Sequence, residues 1–156
     1  MTFSRDEIVA RLIKAGELEV LGGDRAETES YFNVAEFRFH GPDGQEADYA
    51  GLNGYFEAVR AAFDELSIRR GIIVVDGDYV ACQTWIEGRF VREFTQSPIG
   101  KVSPNGQHIT FDLANIFRLD DDGKLIEEWV RTDTRSILRQ LGRRKARLGA
   151  HGIFTR

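Results

Sequence analysis

The hydrophobic pattern of this chain changes its period near Leu66, and that change limits the possible folds more than any other feature. Before Leu66, apolar residues recur three and four positions apart, which is typical of amphipathic helices. After Leu66 they alternate at every second position, as in strands that bury one face. Helices followed by an antiparallel series of strands predict an α+β domain, with the helices packed on one face of the sheet.

Three helices are predicted in the first half of the chain. The first begins at a capping box formed by Ser4 and Glu7 and ends at Gly22. A short second helix follows from Asp24, and a third with a strong apolar face begins near Asp48.

Strands dominate the second half, and a last helix running to Leu141 closes the pattern. The segment between the two longest strands contains Lys, Pro and Gly, which argues against regular structure over residues 91–107. The alternation predicts strands over residues 37–40, 68–76, 79–90, 108–119 and 124–132.

The composition favours one globular domain and excludes several classes of protein. A length of 156 residues fits a single core, and the net charge of −4 argues against general nucleic-acid binding. Cys82 is the only cysteine, which excludes a disulfide framework and predicts a buried thiol. No apolar run approaches the ~18 residues that span a membrane, and no signal-peptide core is found, so a cytoplasmic location is expected.

The division of the chain follows its charge. Residues 1–142 carry the alternating and helical patterns and are predicted to form the domain. Residues 143–156 are rich in Arg and Lys, and we interpret them as a basic tail that is solvated or binds a partner. Contact of this tail with an anionic ligand or nucleic acid is the alternative, which the acidic remainder of the chain disfavours.

The last predicted strand carries the most distinctive polar pattern. Trp129, Arg131 and Asp133 follow each other at a spacing of two, so they should project from one side of the sheet. An indole, a guanidinium and a carboxylate together predict a pocket wall, with Asp133 as a general base whose pKa burial would raise. Asp133 also fits the N-cap of the last helix, and Arg131 also fits a surface ion pair.

Other candidate residues lie on the predicted strands and helices. Trp85 suits a flat conjugated ligand, and Gln83 shares its face of the strand. Asn115 points inward if the odd-numbered residues of its strand form the inner face, where it would donate to a ligand carbonyl. Tyr55 offers a phenolic donor from the third helix, although packing alone also explains it.

The sequence lacks the motifs of metal, nucleotide and covalent catalysis. It contains no Gly-rich phosphate loop, no Gly-x-Ser-x-Gly elbow and no His, Cys and Asp cluster at metal-binding spacing. We therefore predict no metal site and no cofactor.

An ordered set of short motifs runs from the second long strand to the end of the domain. The set comprises Gly77-Asp-Tyr-Val80, Trp85-Ile-Glu-Gly-Arg-Phe90, Pro104-Asn-Gly-Gln107, Asn115-Ile-Phe-Arg118, Asp122-Gly-Lys-Leu-Ile126, Glu128-Trp129, Asp133 and Gln140-Leu-Gly142. It resembles the SnoaL-like polyketide cyclase (ester cyclase) family of the nuclear-transport-factor-2-like superfamily, over roughly residues 5 to 142.

The resemblance implies a fold and a chemistry. The fold is the cystatin-like cone, in which N-terminal helices pack on a curved antiparallel sheet whose open face invites a homodimer partner. The chemistry is a cofactor-free intramolecular aldol condensation, and Asp133 matches the family's acid/base aspartate. His40 matches a position where the family often has a pocket histidine. Glu128 stands where members often have histidine, and Gly88-Arg89-Phe90 replaces a Gly-Thr-His-like turn, which indicates a different substrate.

The sequence thus predicts a SnoaL-like cyclase or isomerase that acts on a small hydrophobic carbonyl compound in polyketide metabolism. Two alternatives stay open: a non-catalytic ligand-binding or dimerisation module, and an epoxide hydrolase, in which the arginine lies between two carboxylates. The predicted site residues are Asp133, Arg131 and His40 for catalysis, and Trp85, Trp129, Asn115, Tyr55 and Gln83 for ligand binding.

Overall fold

The computed structural model describes residues 2–142, so the predicted basic tail lies outside the described residues. A 3₁₀ turn over Pro42–Gly44 connects the first two strands. None of the helices in the described part of the chain is long and apolar enough to cross a membrane. The elements in chain order are α1 (Arg5–Leu21), α2 (Arg25–Glu29), β1 (Arg38–His40), β2 (Glu46–Ala47), α3 (Tyr49–Ala62), β3 (Phe63–Asp76), β4 (Tyr79–Phe90), β5 (Phe94–Ser97), β6 (Gly100–Val102), β7 (His108–Leu119), β8 (Leu125–Thr132) and α4 (Thr134–Gln140).

Six strands form one curved sheet in the order β2-β1-β8-β7-β4-β3. Neighbouring strands are antiparallel, as the sequence predicts, except that β1 runs parallel to β8. The helices α1 and α3 pack against the concave side of this sheet. The α+β class and the cone of the resemblance are therefore confirmed.

Alternation along the central strands determines what faces the helices. On β4, Val80, Cys82, Thr84 and Ile86 are all buried, and their neighbours in sequence are more exposed. The odd-numbered residues of β7 share that face, so the predicted inward orientation of Asn115 is confirmed. Cys82 is buried, as predicted.

The segment between β4 and β7 was predicted to lack regular structure, and that prediction is wrong. Residues Phe94–Ser97 and Gly100–Val102 form a small antiparallel hairpin. Phe94 is fully buried, and its ring packs edge-on against Phe63 at 5.4 Å between centroids. Burial of Phe94 and Val102 in the core holds the hairpin on the domain.

The strand β3 begins five residues before the predicted start and contains two irregularities. Its pairing with β4 shifts between Asp64 and Ser67 and again between Arg70 and Ile73. The second shift inserts extra residues, so the inward-facing set changes from Ile68 and Arg70 to Ile73 and Val75. Arg70 precedes this bulge and pairs with the buried Thr84, which places its side chain on the helix-covered side of the sheet.

Candidate functional site

A cavity of about 470 Å³ lies between the concave face of the sheet and the helices α1 and α3. Its walls are mainly apolar and aromatic, with residues from β5 and from the segment around the 3₁₀ turn also contributing. Sites for small molecules in proteins commonly measure about 300–1,000 Å³ and carry a few polar groups on an apolar wall. The cavity therefore has the size and lining of a ligand site.

Glu128 supplies the central carboxyl group of the cavity. It lies on β8 directly opposite Phe117 of β7, so it shares the inner face and is only 8% exposed. Asn115 Nδ2 donates a hydrogen bond to Glu128 Oε2 at 2.9 Å. Glu128 Oε1 accepts no hydrogen bond from any side chain among residues 2–142, which leaves it available to a ligand.

A chain of hydrogen bonds connects Glu128 to an arginine across four strands. Arg70 Nη1 donates to Thr84 Oγ1 at 2.6 Å, and Thr84 Oγ1 donates to Asn115 Oδ1 at 2.7 Å. Asn115 then donates to Glu128. This polarity fixes the orientation of the Asn115 amide, because its oxygen accepts from Thr84 and its nitrogen faces the carboxyl group.

The surroundings of Glu128 change its acidity. Burial raises the pKa of Glu128 from 4.5 to about 7, and the negative charge of Glu19 adds to that effect. The positive charge of Arg70 and the hydrogen bond from Asn115 lower the pKa only in part. Glu128 is therefore able to accept and to release a proton near neutral pH.

A second buried carboxyl group, Glu19 of α1, lies on the opposite wall of the cavity. Tyr49 Oη donates to Glu19 Oε1 at 2.7 Å, and the Asn53 amide, oriented to satisfy both of its polar atoms, donates to Oε2 at 3.0 Å. Burial raises the pKa of Glu19, while Tyr49 and the charges of Arg60 and Arg25 oppose that rise. Because both of its oxygens accept hydrogen bonds, Glu19 is less available to a ligand than Glu128.

Tyr55 of α3 also lines the cavity, as the sequence predicts for a ligand-binding residue. Its ring packs edge-on against Phe56 and Phe94, at 5.3 Å and 6.2 Å between centroids. Burial raises the pKa of Tyr55 to about 12, so its hydroxyl group stays protonated and is a hydrogen-bond donor. No described residue accepts this hydrogen bond.

Three of the predicted site residues lie on the outer face of the sheet instead of in the cavity. Trp129 stacks on the His40 ring at 5.2 Å, and His40 Nε2 lies 2.7 Å from Glu127 Oε2. Arg131 is exposed and donates to the carbonyl oxygen of Val130. The predicted pocket wall is corrected by the register, because Trp129 pairs with the outward-facing Ile116.

The other predicted positions are also now defined. Asp133 is exposed and caps α4, where its Oδ1 accepts from Ser136 N at 3.0 Å. Trp85 lies on the outer face under the guanidinium of Arg69, and Gln83 accepts from Ile72 N at the bulge of β3. The structure thus brings Asn115 and Tyr55 together in the cavity. It does not place Asp133, Arg131, His40, Trp129, Trp85 or Gln83 there.

Sequence reasoning missed Glu128, Thr84 and Arg70 as site residues. Counting back from the turn at Asp122-Gly123 pairs Asn115 with Trp129, but an irregularity between Arg118 and Leu119 shifts the register by one residue, so Asn115 pairs with Val130 and Glu128 faces inward. Arg70 continues the apolar positions of Leu66 and Ile68 at a spacing of two, and the following Gly71 is typical of a bulge. Within residues 2–142, no three His, Cys, Asp or Glu side chains are grouped to hold a metal ion.

The comparisons with known proteins bear on the family and the fold of the chain. The sequence profile of the SnoaL-like polyketide cyclase family matches residues 24–141. No functionally curated protein matches the chain.

Solved structures share the fold over almost the whole domain. AclR from Streptomyces galilaeus, a candidate hydroxylase, is 22% identical, with a TM-score of 0.74 over 90% of this chain and 87% of its own. TsrD from Streptomyces laurentii is 23% identical, with a TM-score of 0.73 over 91% and 99% of the two chains. IdmH from Streptomyces antibioticus, a candidate polyketide cyclase, is 23% identical, with a TM-score of 0.68 over 87% and 99%.

Proposed function

The chain belongs to the SnoaL-like polyketide cyclase family, and we propose that it performs acid/base chemistry without a cofactor on a small hydrophobic carbonyl compound, with Glu128 as the group that transfers the proton. One observation supports this proposal above the others: Glu128 is a buried carboxyl group whose pKa is raised to about 7 and whose Oε1 faces a cavity of ligand size.

The proposed reaction begins with removal of a proton from the carbon next to a ligand carbonyl. Ionised Glu128 accepts that proton, and the electron pair of the broken C–H bond forms an enolate. The enolate carbon then attacks a second carbonyl of the same molecule, forming a C–C bond and an alkoxide. The alkoxide takes the proton back from Glu128, so the carboxylate is regenerated and the product is a cyclic isomer of the substrate.

One cavity residue, Tyr55, fits the developing negative charge, and another, Asn115, positions the base. The Tyr55 hydroxyl group is a donor without a described acceptor, and it is suited to the carbonyl oxygen that becomes the enolate oxygen. Asn115 holds the Glu128 side chain through its amide and so acts as a positioning residue. In this proposal Asp133, the acid/base residue expected from the sequence, caps α4 and does not touch the substrate.

An epoxide hydrolase is the second candidate, because one observation favours it. The sequence-based form of this idea required a carboxylate facing Arg131, and Arg131 forms no ion pair with the described carboxyl groups. Arg70 instead lines the same cavity as two carboxyl groups, Glu128 and Glu19. A hydrolase would incorporate oxygen from water into its product, whereas a cyclase or isomerase would not.

The test is exchange of hydrogen for deuterium next to the carbonyl of 2-tetralone, followed by proton NMR in D₂O. We expect the protein to accelerate exchange and Glu128→Gln to lose this acceleration by about 100-fold, the usual range for loss of an acid/base group. Glu127→Gln is the matched control, because Glu127 is the adjacent carboxylate on the outer face and pairs with His40 and Arg118. It should retain the rate within about twofold.

Either of two results would contradict the assignment. Undiminished exchange in a folded Glu128→Gln protein would exclude Glu128 as the base. Loss of exchange in Glu127→Gln but not in Glu128→Gln would move the chemistry to the outer face around His40. If no variant and no wild-type protein accelerates exchange but the cavity binds the ketone, the non-catalytic binding module is favoured.

A further inference from the structure

Arg70 is a mostly enclosed cation without a direct counter-ion. Its guanidinium lies in the cavity wall, yet it forms no ion pair with a carboxyl group of the described chain. Its hydrogen bonds are from Nη1, to the Thr84 hydroxyl at 2.6 Å and weakly to Cys82 Sγ at 3.8 Å. A guanidinium has five N–H donors, so most of its capacity is unused.

The two remaining nitrogens of Arg70 differ in their access to the cavity. Nε is enclosed and has no partner. Nη2 also has no acceptor among the described residues, but it is not enclosed in the same way. An anionic group in the cavity would therefore meet Nη2 first, next to the Nη1 that holds Thr84.

The fold makes specific room for this guanidinium. A Cβ atom at Gly16 of α1 would lie 2.5 Å from Arg70 Nη2, so a larger residue at this position would require the guanidinium to move. The Phe117 ring lies beneath the guanidinium carbon, at 5.5 Å to its centroid. Arg70 pairs with the buried Thr84, which places its side chain on the inner face. These three features position the guanidinium without neutralising its charge.

The two buried carboxyl groups of the cavity, Glu19 and Glu128, are already hydrogen-bonded to other residues. Glu19 accepts from Tyr49 and Asn53, and the charges that act on it are those of Arg60 and Arg25. Glu128 feels the positive charge of Arg70 but is joined to it by hydrogen bonds only through Thr84 and Asn115, and near neutral pH it is only partly ionised. A buried charge without a close partner is costly, and an anionic ligand would offset that cost.

We propose that Arg70 is a carboxylate-binding subsite of the cavity, so that the substrate is an apolar carbonyl compound carrying one carboxylate. A planar fork of N–H donors is suited to the two oxygens of a carboxylate, and a charge-assisted hydrogen bond is stronger than a neutral one. This proposal rests on the proposed function, because it defines the substrate class of the same cavity. Arg70 binds the substrate and Glu128 moves its proton.

The experiment compares two ligands of equal shape, naphthalene-2-carboxylate and its neutral carboxamide, by isothermal titration calorimetry at pH 6.5. We expect the carboxylate to bind at least tenfold more tightly than the amide. Arg70→Met should reduce this preference to within twofold, mainly by weakening the binding of the carboxylate. Arg69→Met is the matched control, since Arg69 is the adjacent arginine on the outer face over Trp85, and it should keep the full preference.

The circular dichroism spectrum of Arg70→Met shows whether this variant is folded. If that variant fails to fold, Arg70→Lys, which keeps the charge but not the fork, should retain only part of the preference. Equal affinity of the wild-type protein for both ligands would overturn the subsite, as would a preference that survives in Arg70→Met. Glu128→Gln should bind the carboxylate at least as well as wild type. A carboxylate preference without deuterium exchange would refute only the proposed function, and exchange without the preference would refute only the subsite.

Discussion

At the scale of single residues, the chemistry of the cavity depends on how few donors reach Glu128. The Asn115 amide is its one hydrogen-bond donor among the described residues, and this contact does not compensate for the water lost on burial. Glu127, its neighbour in sequence, is also partly buried, yet hydrogen bonds from His40 and Arg118 keep its pKa below the usual value. The pKa values of two adjacent glutamates on opposite faces of β8 are thus shifted in opposite directions.

The raised pKa of Glu128 predicts a pH-dependent stability. Between about 4.5, the unfolded value, and about 7 the native state binds more protons than the unfolded state, so the unfolding free energy falls as pH rises through this window. The Glu128→Gln variant has no carboxyl group to ionise at this position, so its unfolding free energy should not fall in this way. We expect the variant to be more stable than wild type by about 3 kcal/mol at pH 8 and nearly equal to it at pH 4.5.

Urea denaturation at the two pH values measures this difference. Glu127→Gln is again the control, and it should show no gain in stability at pH 8 because the native contacts of Glu127 favour its ionised form. A Glu128→Gln protein that is less stable than wild type at pH 8 would show that Glu128 is well solvated or paired, contrary to the structure.

At the scale of elements, Asp133 lies at the start of α4, where substitutions can distinguish a structural role from a catalytic one. Asp133 Oδ1 accepts from Ser136 N, which is the bond of an N-cap. Asparagine caps helices about as well as aspartate, so Asp133→Asn should keep the stability of wild type, whereas Asp133→Ala should lose about 1 kcal/mol. Thermal unfolding measures the stabilities, and the deuterium-exchange assay measures the activity.

The exchange rate of Asp133→Asn then decides its role. If Asp133 is only a cap, the rate should stay within about twofold of wild type. A large loss of rate in this stable variant would restore the acid/base role that the sequence predicts for Asp133, and it would count against Glu128.

The elements themselves were largely predictable, and their register was not. The periods of the sequence indicate α1, α3, β4, β7 and β8 because each has a long buried stripe. Trp129 has the more apolar side chain, so it was placed in the pocket and Glu128 was not. The sheet decides otherwise, because Glu128 is opposite Phe117 and a shift of one residue exchanges the two faces. The bulge of β3 likewise changes which residues face inward, from Ile68 and Arg70 before it to Ile73 and Val75 after it.

At the scale of the whole molecule, the site combines residues that are far apart in sequence. Arg70, Thr84, Asn115 and Glu128 come from four different strands and meet only because β3, β4, β7 and β8 are neighbours in the sheet. Periodicity predicted the α+β class, and the family resemblance implied the cone that creates the cavity. They did not predict the hydrogen-bonded chain, because each of its members has an unremarkable polar side chain when considered singly.

The outer face of the sheet supports the prediction of a homodimer. Ile72, Val74 and Ile116 are 67%, 56% and 46% exposed, and Trp129 and Tyr79 lie beside them. Adjacent exposed apolar side chains on a sheet are typical of an interaction surface. We expect sedimentation velocity to show a dimer and an Ile72→Lys, Ile116→Lys double variant to shift it toward monomer. A wild-type monomer at micromolar concentration would contradict this expectation.

The central claim is that Glu128 moves a proton in this cavity, and the pH dependence of deuterium exchange in 2-tetralone tests it most directly. The rate constant at low ketone concentration should rise between pH 5 and pH 9 with a midpoint near 7, where Glu128 becomes ionised. Glu128→Gln should lose that rise while Glu127→Gln keeps it. A midpoint near 4.5 in the wild-type protein, or the same rise in Glu128→Gln, would contradict the account.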